Sequence, residues 1–178
     1  NLLGTNLGQT QKTFVLTKNV YCVQLSPKSA KMKNLSEFEL NKSDPIWRIP
    51  AERMKMNAQH LVPLPSQAIE VLNEIKSLKA SEHYVFPHYT DAHKAMSYNT
   101  LLFALYRIGY RGKATVHGFR STASTALNES GRWNRDAIER QLAHSERNKV
   151  RDAYNRAEYL PERRELMQRW ADYLDKTQ

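Results

Sequence analysis

The sequence predicts a single, mainly helical domain with a small β-sheet or hairpin, an α+β fold. Three observations support this fold class: amphipathic stretches with capping residues fill the second half, two extended runs flank residue 57, and 178 residues with 40% hydrophobic content suffice for one compact core. We therefore expect residues 1–178 to form one domain, in which residues 1–45 have the weakest pattern.

The small sheet is predicted near the start of the readable region. Residues 1–45 are polar and lysine-rich and predict only short helices. Residues 46–64 then form two extended runs around Asn57, a pattern typical of a hairpin. Alternation along the first run places Arg53 and Lys55 on one face and two methionines on the other.

The helices are predicted from apolar spacing and from residues that start or stop a helix. Residues 81–93 lie between the helix predicted to start near Ser66 and the helix predicted to start near Ser97, and they are expected to form a loop or a short strand. Val150, Ala153 and Ala157 mark a short helix before the last one. Predicted caps are Ser66, Ser97, Thr115 and Asn134; predicted stops are Gly109 and Gly131; and Pro161 opens a final helix with the apolar stripe Leu166, Met167, Trp170, Tyr173 and Leu174.

The charge balance favours a polyanionic partner. The chain has 27 Lys and Arg against 18 Asp and Glu, a net charge of +9, so nucleic acid leads the candidates, with a solvated basic surface as the alternative.

Cys22, the single cysteine, is expected in the core; it excludes an internal disulfide and favours a reducing, cytoplasmic compartment. No apolar run is long enough for a membrane span, and the start at Asn1 suggests part of a longer protein.

Three histidines between residues 81 and 93 raise the question of a metal site. His83, His88 and His93 are spaced by five, which matches neither a helix face nor a strand face, and no thiolate cluster joins them. The spacing favours solvated loop histidines over metal ligands.

His117 and Arg120 are the first pair that suggests chemistry. A spacing of three places both side chains on one face of a helix. A guanidinium grips phosphate oxygens and an imidazole moves a proton near neutral pH, so the pair suits a phosphodiester. The alternative is a capping-turn histidine beside a surface arginine.

His144 and Tyr154 form a second candidate group, ten residues apart. The negative end of a helix dipole at His144 attracts a protonated imidazole, although a simple cap is the alternative. A phenol needs nearby cations or a base to act as a nucleophile at neutral pH, and Arg147, Arg151 and Arg156 surround Tyr154 in sequence. Amphipathic packing is the alternative role for Tyr154.

Lys55 is a further candidate. A lysine on an exposed hairpin is most often a solvated charge, but a hairpin that enters a DNA groove can deliver an ammonium to a leaving oxygen as a general acid.

Five segments in register carry a family resemblance: WRIPAERMKM, HLVPL, VHGFRSTASTAL, QLAH and VRDAYNRAEYLPERRELMQRWADYLD. Together they closely resemble the catalytic domain of tyrosine recombinases, specifically integrases of temperate phages and genomic islands. The resemblance is dense over residues 46–178 and loose before them, and it implies the catalytic-domain fold of that family. Topoisomerases of the type that forms a 3′-phosphotyrosine share the chemistry but match less well, and an unrelated basic helical protein, RNA-binding or a metal-dependent nuclease, is the more distant alternative.

The resemblance implies a role for each candidate residue. Tyr154 attacks the scissile phosphate and leaves a 3′-phosphotyrosine and a free 5′-hydroxyl. Arg120 and His144 bind phosphate oxygens, His117 acts in proton transfer at the nucleophile, and Lys55 protonates the leaving oxygen. Tyr159 is the rival nucleophile, but its spacing from His144 fits the family less well. DNA contacts are expected from Arg53, Lys55, Arg120, Arg151 and Arg156.

The resemblance also implies partners. The reaction needs no ATP, because the covalent link conserves the phosphodiester energy, and no metal ion, because arginine charge replaces it. Duplex attachment sites, a synaptic homotetramer and an accessory DNA-bending protein are the expected partners, in the bacterial cytoplasm with the nucleoid. Amino-terminal arm-binding and core-binding domains are not among these residues, and the isolated domain is expected as a monomer.

One departure from the family pattern concerns its first catalytic arginine. The best register places Ser26 at that position and Ser29 at the neighbouring acidic position, and a second register places Leu16 there. No arginine precedes Arg48, although Lys28 or Lys31 could act as a point charge. The alternative function is therefore a catalytically impaired integrase that acts only as a DNA-binding module.

Overall fold

The computed structural model describes residues 35–54, 57–97, 99–144 and 158–176. Within these ranges the chain combines five α-helices with two small antiparallel sheets, which confirms the α+β prediction. No helix in the described ranges is long and apolar enough to cross a bilayer.

The first sheet has three antiparallel strands in the order β1–β2–β3. They are β1 (Phe38–Glu39), β2 (Ile46–Ile49) and β3 (His60–Pro63), preceded by a 3₁₀ turn at Leu35–Glu37. Trp47 pairs with Val62 across the sheet, and both side chains are fully buried. The predicted pairing of the two runs in residues 46–64 is therefore confirmed.

One detail of the hairpin prediction is wrong. Arg53 lies in a 3₁₀ turn, Ala51–Arg53, and not on a strand face. Its guanidinium turns inward to the Glu37 carboxylate, which also accepts a hydrogen bond from the Trp47 indole at 3.1 Å. Of residues 1–45, for which short helices are expected, the structure describes residues 35–45, which contain a 3₁₀ helix at Leu35–Glu37 and the strand β1; for residues 1–34 the expectation stays a prediction. Cys22 lies outside the described residues.

Five helices follow in the described ranges, and most of their boundaries agree with the sequence prediction. Thr115 and Asn134 cap their helices as predicted, accepting hydrogen bonds from the amides of Gly118 and Asp136. The helices are α1 (Ser66–Ser77), α2 (Thr100–Arg107), α3 (Val116–Glu129), α4 (Arg135–Gln141) and α5 (Leu160–Lys176). The short helix predicted around Val150, Ala153 and Ala157 lies outside the described residues.

Ser66 and Ser97 are not the N-cap residues of their helices, although the Ser97 hydroxyl accepts a hydrogen bond from the Asn99 amide at 3.4 Å. Ser66 is the first residue of α1, with Pro65 before it as the N-cap, and the Ser66 amide donates to the side chain of Gln168 at 2.9 Å. Helix α2 begins at Thr100, after Asn99. Residues 81–93 contain β4 (Pro87–His88) and the start of β5 (Asp91–Ala95), so the loop-or-strand region forms a small hairpin.

Two apolar clusters form the core of the part of the chain that the structure describes. The first packs the three-stranded sheet against α1 and α2, with Phe38 stacked on Trp47 at 5.3 Å between ring centroids. The second joins α3, α4 and α5. In α5, Leu166, Met167 and Trp170 are buried as predicted, whereas Tyr173 is 56% exposed and stacks on Trp170. Helix α5 also packs on β3 and so connects the two clusters.

Candidate active site

The first turn of α3 positions His117 and Arg120. The Thr115 hydroxyl accepts a hydrogen bond from the Gly118 amide at 2.9 Å, which satisfies a backbone donor at the helix start. A Cβ at position 118 would lie 3.2 Å from that hydroxyl, so glycine leaves room for the cap. His117 is exposed in this turn, and Arg120 follows three residues later.

Arg120 reaches from α3 to the carboxyl end of α4. Its guanidinium donates a hydrogen bond to the carbonyl of Leu142, one of the carbonyls that a helix leaves without an internal partner. Burial lowers the pKa of Arg120 from its usual value, while the nearby Glu139 carboxylate raises it. The side chain therefore bridges two helices as a partly desolvated cation.

The carboxyl end of α4 holds His144 in a defined position. Ala143 takes a left-handed conformation with φ of 51°, the Ala143 amide donates to the Arg140 carbonyl, and the His144 amide donates to the Glu139 carbonyl, each at 3.0 Å. This pattern is a Schellman motif. The His144 Nδ1 lies 2.7 Å from the Glu139 carboxylate, so the ring is oriented by its own helix.

The structure thus brings two of the predicted site residues together. Arg120 bonds to the residue two positions before His144, and Glu139 influences both side chains. Arg53 lies with the sheet, in its ion pair with Glu37. His117 is exposed on α3, the helix that also carries Arg120. The remaining predicted site residues and the positions proposed for the missing arginine lie outside the described residues: Lys55, Arg147, Arg151, Tyr154, Arg156, Leu16 and Ser26.

Tyr159, the rival nucleophile, lies just before α5. Its backbone is left-handed, with φ of 48°, and its carbonyl accepts a hydrogen bond from the Arg163 amide at 2.9 Å. Such a conformation is uncommon for a bulky residue and requires support from its surroundings. The backbone of Tyr159 therefore contributes a hydrogen bond to the first turn of α5.

A buried arginine that the sequence analysis missed lies beneath this region. Arg163 is fully buried, and its Nε donates to the Gln141 side chain at 2.8 Å. Its Nη1 donates to the Glu158 carbonyl at 3.0 Å and its Nη2 to the Leu61 carbonyl. The signal was present: residue 163 lies three and four positions before Leu166 and Met167, on the apolar face of α5.

His60 is the second residue that the sequence analysis missed. It lies on β3, two residues before Val62 and on the same inward face, and it is 5% exposed. Burial, followed by the charges of Arg163, Arg140 and Arg120, lowers the pKa of His60 to about 3. The imidazole is therefore neutral beside three cations.

The described residues contain no group of three or more His, Cys, Asp or Glu side chains placed to hold a metal ion. His83 is exposed, His88 is in β4 with its Nδ1 3.0 Å from the Thr90 hydroxyl, and His93 is exposed in β5.

Comparison with known proteins identifies relatives of the chain. The family model described as "Phage integrase family" matches residues 30–160. The integrase of Enterobacteria phage P4 is 50% identical over 154 residues, which cover 78% of this chain and 35% of that protein. Prophage integrase IntA of Escherichia coli K12 is 44% identical over 146 residues, which cover 82% of this chain and 35% of that protein. The integrase of Shigella phage Sf6 is 44% identical over 132 residues, which cover 74% of this chain and 34% of that protein. The chain spans about a third of the length of these relatives. No solved structure matches.

Proposed function

The chain belongs to the phage integrase family, and from this membership we propose that it is the catalytic domain of a tyrosine recombinase that integrates or excises a prophage or genomic island. The substrate is duplex DNA at attachment sites. Tyr154 attacks the scissile phosphorus, the bond to the 5′-oxygen breaks, and a 3′-phosphotyrosine forms. A 5′-hydroxyl from another site then reverses the attack, without ATP or a metal ion.

The observation that carries the proposal is the junction of Arg120 and His144. Arg120 fixes the end of α4 through the Leu142 carbonyl, and Glu139 orients the His144 ring through Nδ1. We assign the binding of phosphate oxygens to the guanidinium of Arg120 and to the Nε2 of His144. A preorganised pair of donors stabilises the charge that develops on the pentacoordinate phosphorus.

The remaining steps need proton transfer and groove contacts. We assign removal of the Tyr154 proton to His117, which is exposed on the same helix as Arg120, and protonation of the leaving 5′-oxygen to Lys55. DNA contacts by Arg53, Arg151 and Arg156 stay predictions. The same holds for the synaptic homotetramer, the accessory DNA-bending protein and a cytoplasmic, nucleoid-associated location.

A suicide-substrate assay tests this function. The complete protein that contains these residues is incubated with a nicked duplex carrying its attachment site, and the products are separated on a denaturing gel. We expect a covalent protein–DNA adduct that disappears in Tyr154→Phe and persists in Tyr159→Phe. An adduct that survives Tyr154→Phe would exclude Tyr154 as the nucleophile.

A second candidate function is a DNA-binding module without cleavage. The absence of any arginine before Arg48 favours it, because losing one phosphate-gripping donor costs about 3–4 kcal/mol of transition-state stabilisation. Under this alternative, the protein binds DNA but forms an adduct only after Ser26→Arg. An adduct in the unmodified protein would exclude it.

A further inference from the structure

Arg163 contacts three separate segments of the chain through one guanidinium. It donates to Glu158 just before α5, to Gln141 in the last turn of α4, and to the Leu61 carbonyl of β3. Its Nη1 also lies 3.4 Å from a Glu158 carboxylate oxygen. Donors on all three guanidinium nitrogens are therefore used, which fixes the side chain in one geometry.

Each of these segments leads directly to a residue of the proposed reaction. Gln141 precedes His144 by three residues, Leu61 follows Lys55 by six, and Glu158 follows Tyr154 by four. Four residues span at most about 14 Å of extended chain, so a fixed Glu158 limits where Tyr154 can lie. Arg163 itself is fully buried and cannot reach DNA.

Glu158 is held from a second side. Its other carboxylate oxygen accepts a hydrogen bond from Arg140 of α4. The Glu158 carboxylate is about one-third exposed, as is the Arg140 side chain, whereas Arg163 has no exposure. Taking a cation out of water is costly unless its hydrogen bonds are satisfied, and here the Glu158 charge and three neutral acceptors satisfy them.

We propose that the Arg163–Glu158 pair is a positioning device that holds the carboxyl-terminal end of the nucleophile segment against α4 and β3. The proposal rests on the proposed function for the role of Tyr154. Arg163 and Glu158 touch no reacting atom; they act by fixing the chain on which the tyrosine stands. Their loss should therefore lower the rate of cleavage far more than the affinity for DNA.

The test compares Glu158→Gln with the matched control Glu165→Gln. Glu165 lies on the same helix and pairs with Arg169 at 3.0 Å, but this pair is exposed and joins only neighbouring turns of α5. In the complete protein with saturating nicked duplex, we expect Glu158→Gln to slow adduct formation at least about tenfold, with DNA affinity within about twofold. Glu165→Gln should leave both unchanged. Adduct formation within twofold of the unmodified rate in Glu158→Gln would overturn the proposal.

A second measurement does not depend on activity. Amide hydrogen exchange of residues 141–144 and 158–163 should be at least about tenfold faster in Glu158→Gln, and in Arg163→Lys if that variant folds, while α3 keeps its exchange rates. Identical exchange in Glu158→Gln and Glu165→Gln would refute the positioning role. A protein that forms no adduct yet shows the exchange effect would retain the positioning device and lose the proposed function, so the two failures are distinguishable.

Discussion

His60 shows at the scale of one residue how burial sets the charge of a group. An imidazole on the inward face of β3 loses its water and lies near three arginines, so its pKa falls from 6.5 to about 3. The unfolded chain, in contrast, binds a proton near pH 6.5. The folded protein therefore favours the neutral form of the His60 imidazole.

This difference predicts a pH dependence of stability. Because the folded pKa is depressed, the contribution is fully present above pH 6.5 and is lost as the pH falls toward 3. The free energy of unfolding should drop by about 2 kcal/mol between pH 7.5 and pH 5 on account of this one group. Urea unfolding across that range should show a flatter profile for His60→Gln.

The control for this prediction is His83→Gln, which changes an exposed histidine. That variant should keep the pH profile of the unmodified protein. A His60→Gln profile as steep as the original would show that other groups cause the acid sensitivity.

Residue identity alone predicted part of the site. The spacing of His117 and Arg120 placed them on one helix face, and the structure confirms the helix. The contact between Arg120 and α4 could not be foreseen, because it depends on how two helices pack. Arg163 and His60 were missed for a related reason: polarity patterns assign charged and polar residues to the surface, and only the packed fold shows the acceptors that permit their burial.

At the scale of elements, the end of α4 carries a local conflict. A Schellman motif usually places glycine in the left-handed position, and this chain places Ala143 there, with φ of 51°. A left-handed conformation costs an alanine about 1–2 kcal/mol. The bond from Arg120 to the Leu142 carbonyl lies one residue before this strained position.

Replacing Ala143 with glycine should therefore stabilise the domain. We expect the free energy of unfolding to rise by about 0.5–1 kcal/mol, since part of the relief is offset by the larger entropy of glycine in the unfolded chain. Thermal and urea unfolding measure the change. The control Ala104→Gly, within α2, should lower stability by about 1 kcal/mol, and a loss of stability in Ala143→Gly would contradict the strain argument.

Helix starts separate what local sequence can predict from what it cannot. Thr115 and Asn134 were predicted correctly because each bonds to an amide two or three residues away. The prediction that Ser66 caps its helix was wrong, and the Ser66 amide instead donates to Gln168, on a different helix. Arg53 was placed on a strand for a similar reason: the pairing with Glu37, which accompanies the turn, joins residues sixteen positions apart.

At the scale of the molecule, the net charge of +9 determines how binding should respond to salt. Neutralising phosphates releases counterions, so affinity falls steeply with salt concentration. With four or more phosphate contacts, the affinity for duplex DNA should fall at least about a hundredfold between 50 and 200 mM salt. Fluorescence anisotropy with a labelled duplex measures this dependence.

Tyr154→Phe serves as the matched control for binding, because it removes a hydroxyl and no charge. Its salt dependence should equal that of the unmodified chain. Affinity that is insensitive to salt would argue against phosphate contacts as the main source of binding and would favour a surface without a nucleic-acid partner.

The distance in sequence between partners has a consequence for synthesis. Gln168 caps α1 through Ser66 and Arg163 bonds to Leu61, each across 102 residues. At about 5–20 residues per second, translation separates these partners by about 5–20 seconds. The strands of the first sheet are therefore synthesised well before α5, which supplies Arg163 and Gln168. A nascent chain can pair these strands early, but the contacts beneath the Arg120–His144 site form only after α5 has been translated.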